Sequence, residues 1–234
     1  MFQTNPFSLI VLFVGLSLLP FVAMIATSYL KIVIVMSLIR NALGIQSIPP
    51  NMVINALAMI LTFFIMAPVM QESWQTLNAN QQATTQIGQV ANQPAAGQNA
   101  NMLGLETDDL AKAAEPFRVW LSGHTSDRER AFFVSTAERL WEKEDGTPAV
   151  VDHDSFYILI PSFCVAELTK AFEIGFLVYL PFIAIDIIVS NILLAMGMMM
   201  VSPVTISLPF KLLLFVMVNG WTLLIQGLVR GYML

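Results

Sequence analysis

The chain has 234 residues, of which 56% are hydrophobic and 12% charged, with a mean hydropathy of +0.71. Soluble domains carry about 25% charged residues, so the composition excludes an ordinary water-soluble enzyme and points to a polytopic membrane protein. The net charge of −5 is concentrated in residues 71–155, which hold 13 of the 16 acids and 6 of the 11 basic residues, and no basic patch with interleaved aromatics speaks for nucleic acid.

The first apolar run, Phe7 to Leu30, carries no charge and is long enough to cross a hydrocarbon core of about 30 Å. Pro20 is expected to kink it. A signal peptide would show a basic n-region and an A-x-A site, which this run does not, so a retained helix is expected. The connector from Lys31 to Asn51 holds Lys31 and Arg40 and no acid, which places it in the cytoplasm by the positive-inside rule. Ile48-Pro49-Pro50-Asn51 then introduces a second run, Met52 to Val69, with Asn51 as its cap.

Residues 71–155 form a polar insertion, on the non-cytoplasmic side if the first two spans hold. Its segment 75–101, rich in Gln, Asn, Ala and Thr, buries too little apolar surface to offset ordering entropy and reads as a flexible linker. Over residues 107–145 the pattern becomes helical, with Leu110, Ala114, Phe117 and Leu121, then Phe133, Ala137, Leu140 and Trp141, at helical spacing. Thr107-Asp108-Asp109 and Thr125-Ser126-Asp127 suit helix starts, and Gly123 and Gly146 suit stops.

The third region, Phe156 to Val201, is too long for one ordinary span and is interrupted by Pro161 and Pro181. It contains Cys164, the chain's one cysteine, which cannot form an internal disulfide and reads as a small hydrophobe. Glu167, Lys170 and Glu173 follow at i, i+3 spacing and form one polar stripe on a helix. Each charge at bilayer depth costs about 2.5–3.5 kcal/mol, so the stripe cannot face lipid. Either it lies at the membrane interface, or it belongs to a buried intersubunit charge network in which Lys31, Arg40 or Lys211, of this or another copy, supplies the counter-charge. Asp186 lies off that stripe and needs its own partner.

The region ends in Met196-Gly197-Met198-Met199-Met200-Val201-Ser202-Pro203. Gly197 and Ser202-Pro203 mark a chain reversal, and unbranched thioethers clustered there can pack or touch lipid, or can form a soft seal that deforms when something pushes through. The fourth run, Leu208 to Val229, ends in Gly227-x-x-x-Gly231, a spacing that permits close helix approach in lipid. The expected fold is therefore all-α, with four long apolar segments and a small helical extramembrane insertion.

Catalysis finds little support. His124 and His153 lack ligand spacing, so no metal site is expected, and neither a nucleophile elbow nor a phosphate-cradling loop is present. No cofactor is expected. Asp186 is the lone membrane aspartate, where an intramembrane aspartyl protease needs two. A proton-coupled or small-solute carrier using Glu167, Lys170, Glu173 and Asp186 as a relay is a second reading, although the halves show no self-similarity of the inverted-repeat kind.

The words Thr27-Ser28-Tyr29-Leu30-Lys31 and Arg40 through Asn51, then Glu167 through Phe176, Met196 through Met200, and Ser207 through Phe215, resemble the FliP/SctR export-gate proteins of bacterial type III secretion. The resemblance covers residues 8–70 and 156–230. Gly44-Ile45-Gln46-Ser47, Lys31 and Asn219-Gly220-Trp221-Thr222 depart from the flagellar pattern and look more like the virulence injectisome branch. The resemblance implies two kinked helical hairpins, residues 1–70 and 156–234, flanking a mostly periplasmic insertion. It also implies a homopentamer joined by the small S- and T-type subunits and then the U- and V-type export proteins. That assembly would sit in the bacterial inner membrane, drawn toward the periplasm, and pass unfolded secreted proteins. By position, Met198, Met199 and Met200 take the role of a gasket around the closed pore, and helices removed from lipid can carry polar contacts between subunits.

Overall fold

The computed structural model describes residues 6–45, 48–90, 107–142, 149–198 and 200–233, and Met199, Gly146 and residues 91–101 of the expected linker lie outside these. Every regular element among the described residues is a helix: α1 (Pro6–Ile25), α2 (Tyr29–Ala42), α3 (Asn51–Val90), α4 (Thr107–His124), α5 (Asp127–Leu140), α6 (Phe156–Ala195), α7 (Pro203–Met217) and α8 (Gly220–Arg230). Asn51–Ala79 and Phe156–Ala195 are each long and apolar enough to cross a membrane. The bent pairs Phe13–Ile25 with Tyr29–Ala42 and Pro203–Met217 with Gly220–Arg230 meet the same test when each pair is taken as one span. The protein is thus an all-α membrane protein.

The bend inside the first apolar run falls where local hydrogen bonding permits it, not at Pro20. Pro20 lies inside α1, and the first run bends by 56° only at residues 26–28. There the Thr27 hydroxyl donates to the Ala23 carbonyl and accepts from the Tyr29 amide, closing one helix and opening the next. Most of the Lys31–Asn51 stretch, expected as a connector, is helix α2. Ile32, Val35, Met36, Ile39 and Ala42 recur at three- and four-residue spacing and bury that face, so the stretch is held in the core as a helix. Helix α2 ends at Gly44, whose φ of 78° is left-handed.

Helix α3 continues to Val90, well into the segment 75–101 expected as a flexible linker. Extending a formed helix adds one hydrogen bond per residue fixed, so Gln- and Ala-rich sequence follows an apolar helix that would not nucleate alone. Helix α6 runs unbroken for 40 residues, about 60 Å, through both Pro161 and Pro181. One proline removes one amide donor, and a long helix absorbs that loss with a local kink.

By internal contacts the chain divides into two compact units, residues 1–65 with 164–234 and residues 66–163. The core of the first centres on α2. Ile32, Val35, Met36 and Ile39 join Ile54 and Ala58 of α3, Ala171 and Phe182 of α6, Phe215 of α7, and Leu224 and Leu228 of α8. Helix α2 comes so near α6 at Gly175 that a Cβ there would collide with the Leu38 side chain, whose Cβ and Cγ would lie 3.3 Å away.

The second unit has two small cores: Leu121, Leu159 and Phe163 with Phe117 and Trp120, and Val134, Ala137 and Ile158 with Phe133. Arg130 donates to the Ser122 carbonyl at 2.7 Å and hydroxyl at 3.0 Å and lies 3.5 Å from Asp154, tying α5 to the end of α4 and the start of α6. Arg118 donates two hydrogen bonds to Glu115, which hold that carboxyl below its ordinary range. Leu140 and Trp141, expected on the apolar face of α5, are exposed, because the buried face turns through Val134 instead.

The close approach at Gly175 predicts that Gly175→Val overpacks the α2–α6 contact at about 1–3 kcal/mol and lowers the melting temperature in detergent. Adding Leu38→Ala is expected to recover most of that loss, and a Gly175→Val protein melting like the parent would contradict the packing.

Candidate functional site

Glu167 is the centre of the first polar cluster. It is fully buried and lies on α6, facing Lys31 of α2, itself 3% exposed. Lys31 Nζ is 3.1 Å from Oε2 and 3.3 Å from Oε1 of Glu167. The hydroxyl of Tyr232, beyond the end of α8, donates to Glu167 Oε2, and Lys31 Nζ stands 3.5 Å from the centre of the Tyr232 ring, a cation–π contact. Lys170, one turn along α6, brings a second cation to within 3.6 Å of Glu167 Oε1 and keeps 43% of its side chain exposed. A buried carboxylate is tolerated only when paired and hydrogen-bonded, and three elements meet here to satisfy this one.

The second cluster holds Asp186 of α6. Lys211 Nζ of α7 lies 2.6 Å from Asp186 Oδ2, and Ser207 Oγ donates to Oδ1 at 2.6 Å. Lys211 also donates to the carbonyl of Ala42 at 3.2 Å. That carbonyl ends α2, where the unsatisfied C=O groups carry partial negative charge, so one ammonium neutralises Asp186 and caps a helix. Ser207 and Lys211 are buried.

Two pairings sought between this or another copy therefore close within one chain: Lys31 with Glu167, and Lys211 with Asp186. Arg40, a candidate for the same network, instead donates to the Pro49 carbonyl at 3.4 Å and to the Asn51 side chain, fastening the connector. Glu173 is exposed and has no ion-pair partner among the described residues. Among the described residues Gly227 and Gly231 meet no second helix: a Cβ at Gly227 would touch nothing within 4 Å, and one at Gly231 only carbonyls of its own helix end. The close approaches fall at Gly175 and at Gly220, which lies under the Phe215 ring. Tyr232 escaped the sequence reading, while Ser207 and Gly175 entered it only within the stretches that carry the resemblance.

Met196, Gly197 and Met198 form a tight turn at the end of α6. Met198 N donates to Leu193 O and Gly197 N to Leu194 O, each at 3.0 Å, and Gly197 has a φ of 74°. This is the paired bonding of a Schellman motif, which needs a left-handed residue at Gly197. Three residues after Met200, Pro203 starts α7 with a backbone already set for a helix. Met196, Met198 and Met200 are exposed.

Lys31→Met would leave Glu167 buried with only half-exposed Lys170 and the Tyr232 hydroxyl, at a cost of about 3–5 kcal/mol. Thermal unfolding in detergent is expected to show that loss and to show substantial recovery in the double variant Lys31→Met, Glu167→Gln. Equal loss in single and double variants would mean that the charge pairing is not what holds the two helices.

Residues 12–228 match the FliP family. The chain is 48% identical over 225 residues to the Yop proteins translocation protein R of Yersinia pestis, covering 96% of this chain and 95% of that protein. It is 47% identical over 227 residues to the hypersensitivity response secretion protein HrcR of Ralstonia nicotianae, covering 96% of both. With the virulence protein YscR of Salmonella typhimurium the identity is 42% over 231 residues, 97% of each chain. Matched almost from end to end, the chain belongs to the FliP family.

Proposed function

We propose that this chain is the core subunit of a type III secretion export gate, of the virulence injectisome branch. With copies of itself it forms the pore through which unfolded proteins cross the bacterial inner membrane. Membership of the family supports this reading, as do the secretion, translocation and virulence names of its relatives. The observation that carries the mechanism is the methionine turn. A Schellman closure at Gly197 ends α6 and Pro203 starts α7, while the thioethers of Met198 and Met200 are exposed. Copies arranged around an axis would bring these side chains, with those of Met199, into a ring. Unbranched thioethers fill an irregular hole against ions and still give way to a passing chain.

The remaining polar groups suit assembly. Half-exposed Lys170 and exposed Glu173, one turn apart on α6, can reach a neighbouring subunit once Glu167 is satisfied within the chain. We take the oligomer to be a pentamer completed by the small S- and T-type subunits and served by the U- and V-type export proteins, drawn from the bilayer toward the periplasm. Gly227 and Gly231, open on this chain, can accept a helix from a neighbour. The carrier reading loses ground because Glu167 and Asp186 are each closed by a lysine of the same chain and are poor members of a proton relay.

Replacing Met198, Met199 and Met200 together by alanine is expected to leave the oligomer intact by native mass and to raise its ion conductance in planar bilayers. Unchanged conductance would remove the gasket. Lys170→Ala is expected to give a folded subunit that no longer assembles, and a normal oligomer in that variant would place the intersubunit contact elsewhere.

A further inference from the structure

The methionine turn is the tip of a hairpin whose arms are α6 and α7. Near the tip an apolar groove runs along the arms, lined by Ile188, Val189, Ile192, Ile206 and Phe210 among others. Below it the arms are joined by the Asp186–Lys211 pair at 2.6 Å, with Ser207 donating to the same carboxylate. At 1.5 Å per residue, Lys211 stands about 12 Å along α7 from Pro203, and Asp186 about 15 Å along α6 from Met196.

Lys211 has a second bond, to the Ala42 carbonyl at 3.2 Å, and that bond leaves the hairpin for the end of α2. Helix α2 is held in its unit through the core and through Lys31. A Cβ at Gly44, just past the end of α2, would lie 4.0 Å from Val204 Cγ1 in the first turn of α7, so the end of α2 reaches the base of the methionine turn itself.

We propose that Lys211 is a positioning residue for the methionine turn: by bonding Asp186 and the last carbonyl of α2 at once, it fixes the hairpin and holds the turn where it closes the pore. This rests on the gasket reading of the turn. The ion pair ties the two arms to each other, and the bond to Ala42 ties them to the end of α2, nearer the turn than the core that Phe182 and Phe215 share with that helix. The bond to Ala42 supplies the fixed reference.

The test separates the two bonds. Lys211→Met in the assembled gate is expected to raise ion leak several-fold although every methionine is present. The exchange Asp186→Lys with Lys211→Asp restores an ion pair but puts an acceptor against the Ala42 carbonyl, so it is expected to leak as well. An exchanged gate that closes normally would overturn the proposal, as would a closed Lys211→Met gate. If alanine at Met198, Met199 and Met200 leaves conductance unchanged, the gasket assignment fails and the positioning role falls with it, whereas a leaking alanine gate beside a closed Lys211→Met gate keeps the gasket and overturns the positioning role alone. Should either Lys211 variant not assemble, spin labels on Asn41→Cys and Thr205→Cys in the Cys164→Ser background, diluted with unlabelled subunits, report the α2–α7 distance in the chain itself. Lys211→Met is expected to broaden that distribution, and an unchanged distribution overturns the proposal.

Discussion

A buried carboxylate organises the first unit. Glu167 has no exposure, and removing a carboxylate from water without compensation is far too costly for a helix to tolerate. Its position therefore dictates where other parts of the chain must lie. Lys31 has to face α6 from α2, and Tyr232 has to return from beyond α8, which draws three segments distant in sequence to one point. Apolar packing around Ile32, Val35 and Met36 then fills the space between these elements, but apolar contacts are non-directional and would accept more than one rotation of α2. The ionic contact selects one.

The second cluster repeats this logic toward the methionine turn. Asp186, Lys211 and Ser207 satisfy one another, and Lys211 takes up a helix-end carbonyl that the apolar surroundings could not. Between the clusters α2 is held along its length, by a lysine near its start and by another chain segment's lysine at its end. The turn at the end of α6 thus hangs from a braced framework while the side chains of Met196, Met198 and Met200 stay exposed.

Segment length and lack of charge made the four apolar regions legible, because those are the quantities a bilayer reads. The amphipathic pair in the insertion was legible from its spacing, and helix α5 begins at Asp127 after Ser126 as its residues suggested. What stayed hidden has physical causes. Prolines at 20, 161 and 181 drew attention as breaks, whereas the bends fall at the Thr27 hydroxyl and at Asn219, whose φ of 52° is left-handed. The Asn219-Gly220 pair was a readable turn signal. Helix α2 was obscured because Lys31 and Arg40 looked like loop charges, and only the position of Glu167, unknowable from local pattern, shows that a lysine can begin a buried helix. Pairings across such separations leave no periodic trace.

The Lys31–Glu167 bond joins residues 136 positions apart, and that separation bears on how the chain enters its membrane. During synthesis α2 emerges long before α6, so Lys31 has no counter-ion when its helix first meets the bilayer, and burying it then would cost about 2.5–3.5 kcal/mol. Until Glu167 arrives, the lowest-energy place for the Lys31 ammonium is in contact with water. Its burial becomes favourable only once α6 supplies the carboxylate that neutralises it.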